Sequence, residues 1–209
     1  MPKLILATQN PKKRAELEAL AAGYEVSLLD DVGLGDIVIE ENGSTFRDNA
    51  LIKAESVFRA LTSAQRNDPE WVAILADDSG LCVDALKGHP GVRSARYAAD
   101  HGAGTGDAAN NALLLKKLSH CQSAARSARF VCSICVWPMR GEAFFAEGSV
   151  EGTIAQELRG SGGFGYDPLF CPAAYPERRM AELSAAEKHA ISHRGQAMRE
   201  AMEKLRQLA

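Results

Sequence analysis

With 209 residues, 46% hydrophobic and 24% charged, the chain can bury a full core and fits one domain, simple or two-lobed. A formal net charge of −3 argues against a nucleic-acid surface, which normally needs a basic excess, so cations that converge locally are reserved for a small anion. No apolar run reaches transmembrane length and the first six residues are too short for a signal peptide, which gives the expectation of a cytoplasmic protein without membrane partners.

Residues 4–7 predict a buried strand. Asn10 is a good N-cap and Pro11 suits the first helical position, so a helix is predicted from Pro11 to near Gly23, a C-cap glycine. A strand feeding a helix N-terminus offers free N–H groups and a positive dipole end to an anion. Thr8, Asn10 and Lys13 add donors and charge there, although the glycine spacing of a Walker loop is missing. Residues 24–29 predict the next strand. Thr45 and Asp48 form a capping-box pattern, so a helix is predicted over 46–61, with Ala50, Ala54, Val57 and Leu61 on its apolar face. Lys53 lies between those positions, as a solvated lysine or a phosphate ligand, and Glu40 and Glu41 precede the helix.

Residues 62–70 read as a polar loop. The apolar run 72–76 reads as a buried strand that stops at Asp77 and Asp78, and the carboxyl end of such a strand is where α/β sheets bind ligands. Adjacent carboxylates raise each other's pKa unless a cation sits between them, and their hard oxygens suit Mg²⁺ beside phosphate. Residues 88–97 read as a Gly/Pro loop and 107–118 as a helix. Residues 128–137 and 142–155 predict two strands joined near Arg140-Gly141, hence antiparallel, which makes the sheet mixed. Among five cysteines, Cys132 and Cys135 have redox-motif spacing, but on a strand residues three apart face opposite sides, so they read as reduced thiols.

Four glycines within residues 160–165 permit close backbone approach to a ligand. Phe164 offers a stacking face and Asp167 a carboxylate for ring N–H groups. Ser184 and Glu187 form a second capping-box pattern, and Met198, Met202 and Leu205 mark a final amphipathic helix. His189 and His193 are four apart, but Ser192 starts a new helix between them, which discounts zinc.

Five motifs recur together in order: Ala7-Thr8-Gln9-Asn10 with Lys13; Thr45-Phe46 with Asn49-Ala50 and Lys53-Ala54; Ala76-Asp77-Asp78-Ser79-Gly80-Leu81; Gly162-Gly163-Phe164-Gly165-Tyr166-Asp167-Pro168; and Ile191-Ser192-His193-Arg194-Gly195. The ordered set spans nearly the whole chain and resembles the inosine/xanthosine triphosphate pyrophosphatases, with Gln9 where that family usually has Gly. The resemblance implies a single α/β domain over 1–209, with an elongated mixed β-sheet flanked by helices and two lobes around a central substrate cleft. It implies a homodimer and Mg²⁺-dependent hydrolysis of ITP, dITP and XTP to the nucleoside monophosphate and pyrophosphate, which clears these nucleotides from the pool. Under it, Thr8, Gln9, Asn10, Lys13 and Lys53 hold the triphosphate, and Glu41 (or Glu40) and Asp78 hold the metal. Asp78 also activates water, and Ser79, Phe164, Gly165, Tyr166, Asp167, Lys188, His193 and Arg194 line the nucleoside pocket. Fixed donors such as His193 or Arg194 suit the C6 carbonyl of hypoxanthine or xanthine and reject the amino group of adenine. A pyrimidine nucleotide pyrophosphatase of the septum-inhibitor type shares the phosphate-loop opening, and a non-hydrolysing nucleotide-binding module has no use for the paired acids.

Overall fold

The computed structural model describes every residue except Gln9, Ala22, Leu208 and Ala209. The strands are β1 (Lys3–Leu6), β2 (Glu25–Leu28), β3 (Trp71–Val83), β4 (Ser127–Pro138), β5 (Phe144–Ile154) and β6 (Phe170–Pro172). The helices are α1 (Pro11–Leu20), α2 (Phe46–Ala60), α3 (Ser63–Asn67), α4 (Tyr97–Asp100), α5 (Gly106–Lys117), α6 (Ala185–Ile191) and α7 (His193–Gln207). Among the described residues the strands form one mixed sheet in the order β2-β1-β3-β4-β5-β6. β1 runs parallel to β2 and β3, with Leu4 opposite Ala73 and Leu6 opposite Leu75, whereas β5 and β6 are antiparallel. The connection 139–143 between the neighbours β4 and β5 is too short for a crossover, so that pair is antiparallel, as the sequence predicts.

Contacts divide the chain into two compact units, Met1–Asp78 with Cys132–Gly148 and Arg194–Ala209, and Ser79–Val131 with Ser149–His193. In the first unit, strand alternation sorts side chains between two cores. Leu4 and Leu6 of β1 and Ala73 and Leu75 of β3 pack with Leu17 of α1 and Met198, Met202 and Leu205 of α7. Ile5, Ala7, Ile74 and Ala76 turn the other way, onto Ala50, Ala54 and Val57 of α2. The sheet here is covered by α1 and α7 on one face and α2 on the other. Cys132 belongs to the first core and Cys135 to the second, which separates the sulfurs; burial pushes both thiols up to about 12. The second unit has its own core, with Leu81, Leu114, Tyr166, Leu169 and Phe170, in which the Phe130 and Phe170 rings meet edge-on at 4.7 Å.

The structure departs from the sequence reading in four places. Residues 62–70 contain α3, started by a full capping box between Thr62 and Gln65. β3 does not stop at the acids but runs through Asp77 and Asp78 to Val83, because cations from neighbouring helices neutralise both carboxylates inside the sheet. The loop 88–97 holds the 3-10 turn Gly91–Arg96 and leads into α4. β6 has only three residues, too few to carry an alternation signal. α2 has the predicted box, Thr45 with Asp48, and α6 has Ser184 with Glu187.

Candidate active site

The alternation that builds the first unit's two cores also separates its two acids. Asp77 has the parity of Ala73 and Leu75, so it faces α1 and α7, whereas Asp78 has the parity of Ile74 and Ala76 and faces α2. Asp77 Oδ2 accepts from Lys13 Nζ at 2.9 Å and lies 3.5 Å from Arg194 Nε; Arg194 Nη1 also pairs with Glu16. Asp78 Oδ2 accepts from Asn49 Nδ2 at 3.1 Å, and Oδ1 lies 3.2 Å from Lys53 Nζ. Lys53 Nζ also donates to Glu41 Oε2 at 2.9 Å, so one buried ammonium holds two carboxylates together. Glu41 reaches this cluster, while Glu40 is exposed.

The two acids have opposite electrostatics. Burial opposes ionisation of Asp77, but Lys13, Arg194 and Lys53 outweigh it, and its pKa falls below the usual carboxylate range. Burial raises the pKa of Asp78, and Lys53, Lys13 and the Asn49 hydrogen bond only partly oppose it. Lys53 keeps its proton: burial disfavours the charge, but Asp78, Asp77 and Glu41 more than restore it.

Asn49, buried on α2, is the main participant to which the sequence reading gives no role. Its Nδ2 holds Asp78 while its Oδ1 accepts from Gly43 N at 2.8 Å, which ties the segment carrying Glu41 to β3. A Cβ at Gly43 would lie 2.6 Å from Asp48 Cβ, so that close approach requires glycine. Asn49 sits four residues before Lys53, on the same stripe of the helix, and a polar residue on a buried stripe is the signal that marks it. At the start of α1, Asn10 Oδ1 accepts from Lys13 N at 3.3 Å and Thr8 Oγ1 from Asn10 N at 3.2 Å. Thr8 and Asn10 line a cavity of about 300 Å³ together with Arg14 and Asp30. Gln9, the remaining member of that loop, lies outside the described residues.

The second unit gathers the glycine-rich loop around Asp167. This buried carboxylate accepts from Phe164 N at 3.0 Å and Lys188 Nζ at 2.8 Å through the same oxygen, Oδ2. Lys188 Nζ also lies 5.1 Å from the centroid of the half-buried Phe164 ring. Gly163 adopts φ +73°, and a Cβ there would sit 2.0 Å from Asp167 Oδ2. α5 grips Gly165 from both sides: Gly165 N donates to Asp107 Oδ2 at 2.9 Å, and Gly165 O accepts from Asn111 Nδ2 at 2.8 Å. Tyr166 is buried with its hydroxyl on Ser94 O at 2.9 Å, which makes it a support beneath the loop. His193 stacks on Phe130 with ring centroids 5.0 Å apart, and Ser79 is half-buried on β3. The structure thus joins Phe164, Gly165, Tyr166, Asp167 and Lys188 in one loop system. It puts Arg194 in the Asp77 network of the first unit. His189 and His193 fall on separate helices, α6 and α7.

The sequence profile described as the Ham1 family matches residues 4–204. A dITP/XTP pyrophosphatase of Desulforamulus reducens is 47% identical over 99% of this chain and 96% of its own length. One of Clostridium perfringens is 40% identical over 99% and 98%. The solved structure of a HAM1 protein from Coxiella burnetii superposes with a TM-score of 0.82 at 37% identity, covering 99% of this chain and all of that one. A nucleoside-triphosphatase / dITP/XTP pyrophosphatase from Mycobacterium abscessus gives 0.71 at 43% identity, covering 95% and 98%.

Proposed function

The chain belongs to the Ham1 family, and from that premise we propose that it is a nucleoside triphosphate pyrophosphatase that hydrolyses ITP, dITP and XTP to the monophosphate and pyrophosphate. The observation that carries this reading is the buried Lys53 ammonium bridging Glu41 and Asp78, beside the helix N-terminus that carries Lys13. Phosphoryl transfer needs positioning and charge neutralisation more than covalent chemistry. Lys13 and Lys53 supply that charge to the triphosphate, and the positive dipole end of α1 adds to it.

The donor set fits Mg²⁺. Glu41 and Asp78 offer hard carboxylate oxygens around one cationic position, and these two residues would hold the ion. Among the described residues no group of three or more His, Cys, Asp or Glu is placed to hold a metal ion. Bound there, the metal would offset phosphate charge and acidify water. Asp78, with its pKa raised by burial, is the better proton acceptor of the two acids; Asp77, held ionised by Lys13 and Arg194, fixes those two cations in place.

In the second unit Phe164 offers its face to the purine, and Lys188 and Asp167 order the loop that presents it. Ser79, Gly165 and His193 complete the nucleoside side of the assignment, and Arg194 contributes from the Asp77 network. The reading includes a homodimer, supported by the resemblance, and a cytoplasmic setting, which suits a nucleotide-pool substrate. Among the described residues no helix is long and apolar enough to cross a membrane. Phosphorus NMR of the products from dITP tests the reaction class. Pyrophosphate with the monophosphate supports it, and orthophosphate with the diphosphate refutes it.

A further inference from the structure

A buried charge is costly unless something compensates it. In the second unit Lys188 has Asp167 at 2.8 Å. Arg126 spreads its guanidinium over the carbonyls of Leu118, Ala155 and Cys121 at 2.8, 2.8 and 3.4 Å, near the carboxyl end of α5, where the helix dipole favours a cation. Arg179 has no such compensation. The residue is only 9% exposed. Its Nη1 donates to Cys171 Sγ at 3.2 Å, a weak acceptor, and its Nε is buried without any acceptor. Glu182, the acid beside it in sequence, takes the Arg179 backbone N–H at 2.6 Å, and no carboxylate among the described residues pairs with the guanidinium.

Arg179 and Cys171 line a cavity of about 610 Å³ together with Ser123, Thr153, Gln156 and Glu157. Glu157 is engaged by Arg159 Nε at 3.0 Å, so the cavity's own acid does not answer Arg179. Its remaining polar lining is neutral: two hydroxyls and the Gln156 amide, which donates to Ser123 Oγ at 3.1 Å. None of the residues assigned above to the phosphate, metal or nucleoside lines this cavity.

We propose that this cavity is a second ligand site, for a small oxyanion carried on the guanidinium fork of Arg179 with the Ser123 and Thr153 hydroxyls as neutral donors. The planar fork matches phosphate and carboxylate alike, and either would supply the missing countercharge.

Thermal unfolding tests this in K53M and in the double variant K53M/R179M, so that the Glu41–Asp78 cluster is weakened in both. Inorganic phosphate or malonate is added, with chloride at matched ionic strength as the reference. K53M should gain roughly 3–6 °C at an anion concentration ten times its Kd, and the double variant should lose that gain. A larger gain with phosphate assigns a phosphate-bearing ligand, and a larger gain with malonate a carboxylate. No response in K53M, or an equal response in both proteins, overturns the proposal. If the R179M change is not tolerated, R179Q removes the same fork and serves the same comparison.

Discussion

Asp77 and Asp78 are consecutive in β3 yet answer to opposite faces of the sheet, Asp77 to Lys13 of α1 and Arg194 of α7, Asp78 to Asn49 and Lys53 of α2. That division gives one acid a structural task and the other a chemical one. D77N removes the countercharge of two partly or fully buried cations and should cost about 3 kcal/mol of stability. D78N should fold with a Tm equal to or above the wild type and lose about 10²–10⁴-fold in turnover. Unfolding curves and initial rates on the two variants check both halves; a fully active D78N would sink the assignment.

The pH dependence of stability should differ between the same variants. The folded pKa of Asp77 is lowered, so its ionised form stabilises the fold above the unfolded value near 4, and that contribution is lost as pH falls through the folded pKa. The folded pKa of Asp78 is raised, so its ionisation costs stability as pH rises past the unfolded value. The wild type should therefore lead D77N at neutral pH, and that lead should narrow as pH falls below about 4. D78N should gain on the wild type with rising pH. Chemical unfolding of the three proteins across pH 3 to 7 checks both trends.

Asn49 links Gly43 to Asp78 and so sets the spacing of Glu41 and Asp78. N49L keeps the volume and removes both hydrogen bonds. Loss of such a support typically costs about 10–100-fold in metal affinity or activity. A Mg²⁺ titration of N49L, followed both calorimetrically and by rate, should show the half-saturating concentration shifted upward. An unchanged titration would remove Asn49 from the account.

Asn111 and Asp107 hold the two backbone groups of Gly165, between Phe164 and Tyr166. N111L should loosen the loop that presents Phe164 and raise KM for dITP by about 10-fold, the equivalent of about 1.4 kcal/mol, with kcat little changed. A fall in kcat at constant KM would place the loop's role in the chemical step instead.

Much of this arrangement is legible in the sequence, and particular residues show where legibility stops. The capping pairs Thr45/Asp48 and Ser184/Glu187 announce α2 and α6 because a cap is a local signal. Thr62/Gln65 carries the same signal for α3, hidden within a stretch whose composition reads as loop. The end of β3 is misread for another reason. Two acids interrupt an apolar run, and only the distant Lys13, Lys53 and Arg194 make it possible to continue the strand through them. The parity that divides Asp77 from Asp78 follows from their adjacency alone, but which helix faces each acid depends on packing across the sheet. The roles of Asn49, Asn111 and Arg179 are likewise non-local, since each is defined by a partner, or a missing partner, that its neighbours in sequence do not reveal.

The most direct test of the account is pyrophosphate release from dITP, XTP, ATP and GTP, each with and without Mg²⁺. The account predicts metal-dependent turnover of dITP and XTP, with ATP and GTP little hydrolysed. Equal turnover of all four would keep the phosphate chemistry of Lys13, Lys53 and Asp78 and contradict the specificity for deaminated purines. No turnover of any of them would contradict the account as a whole.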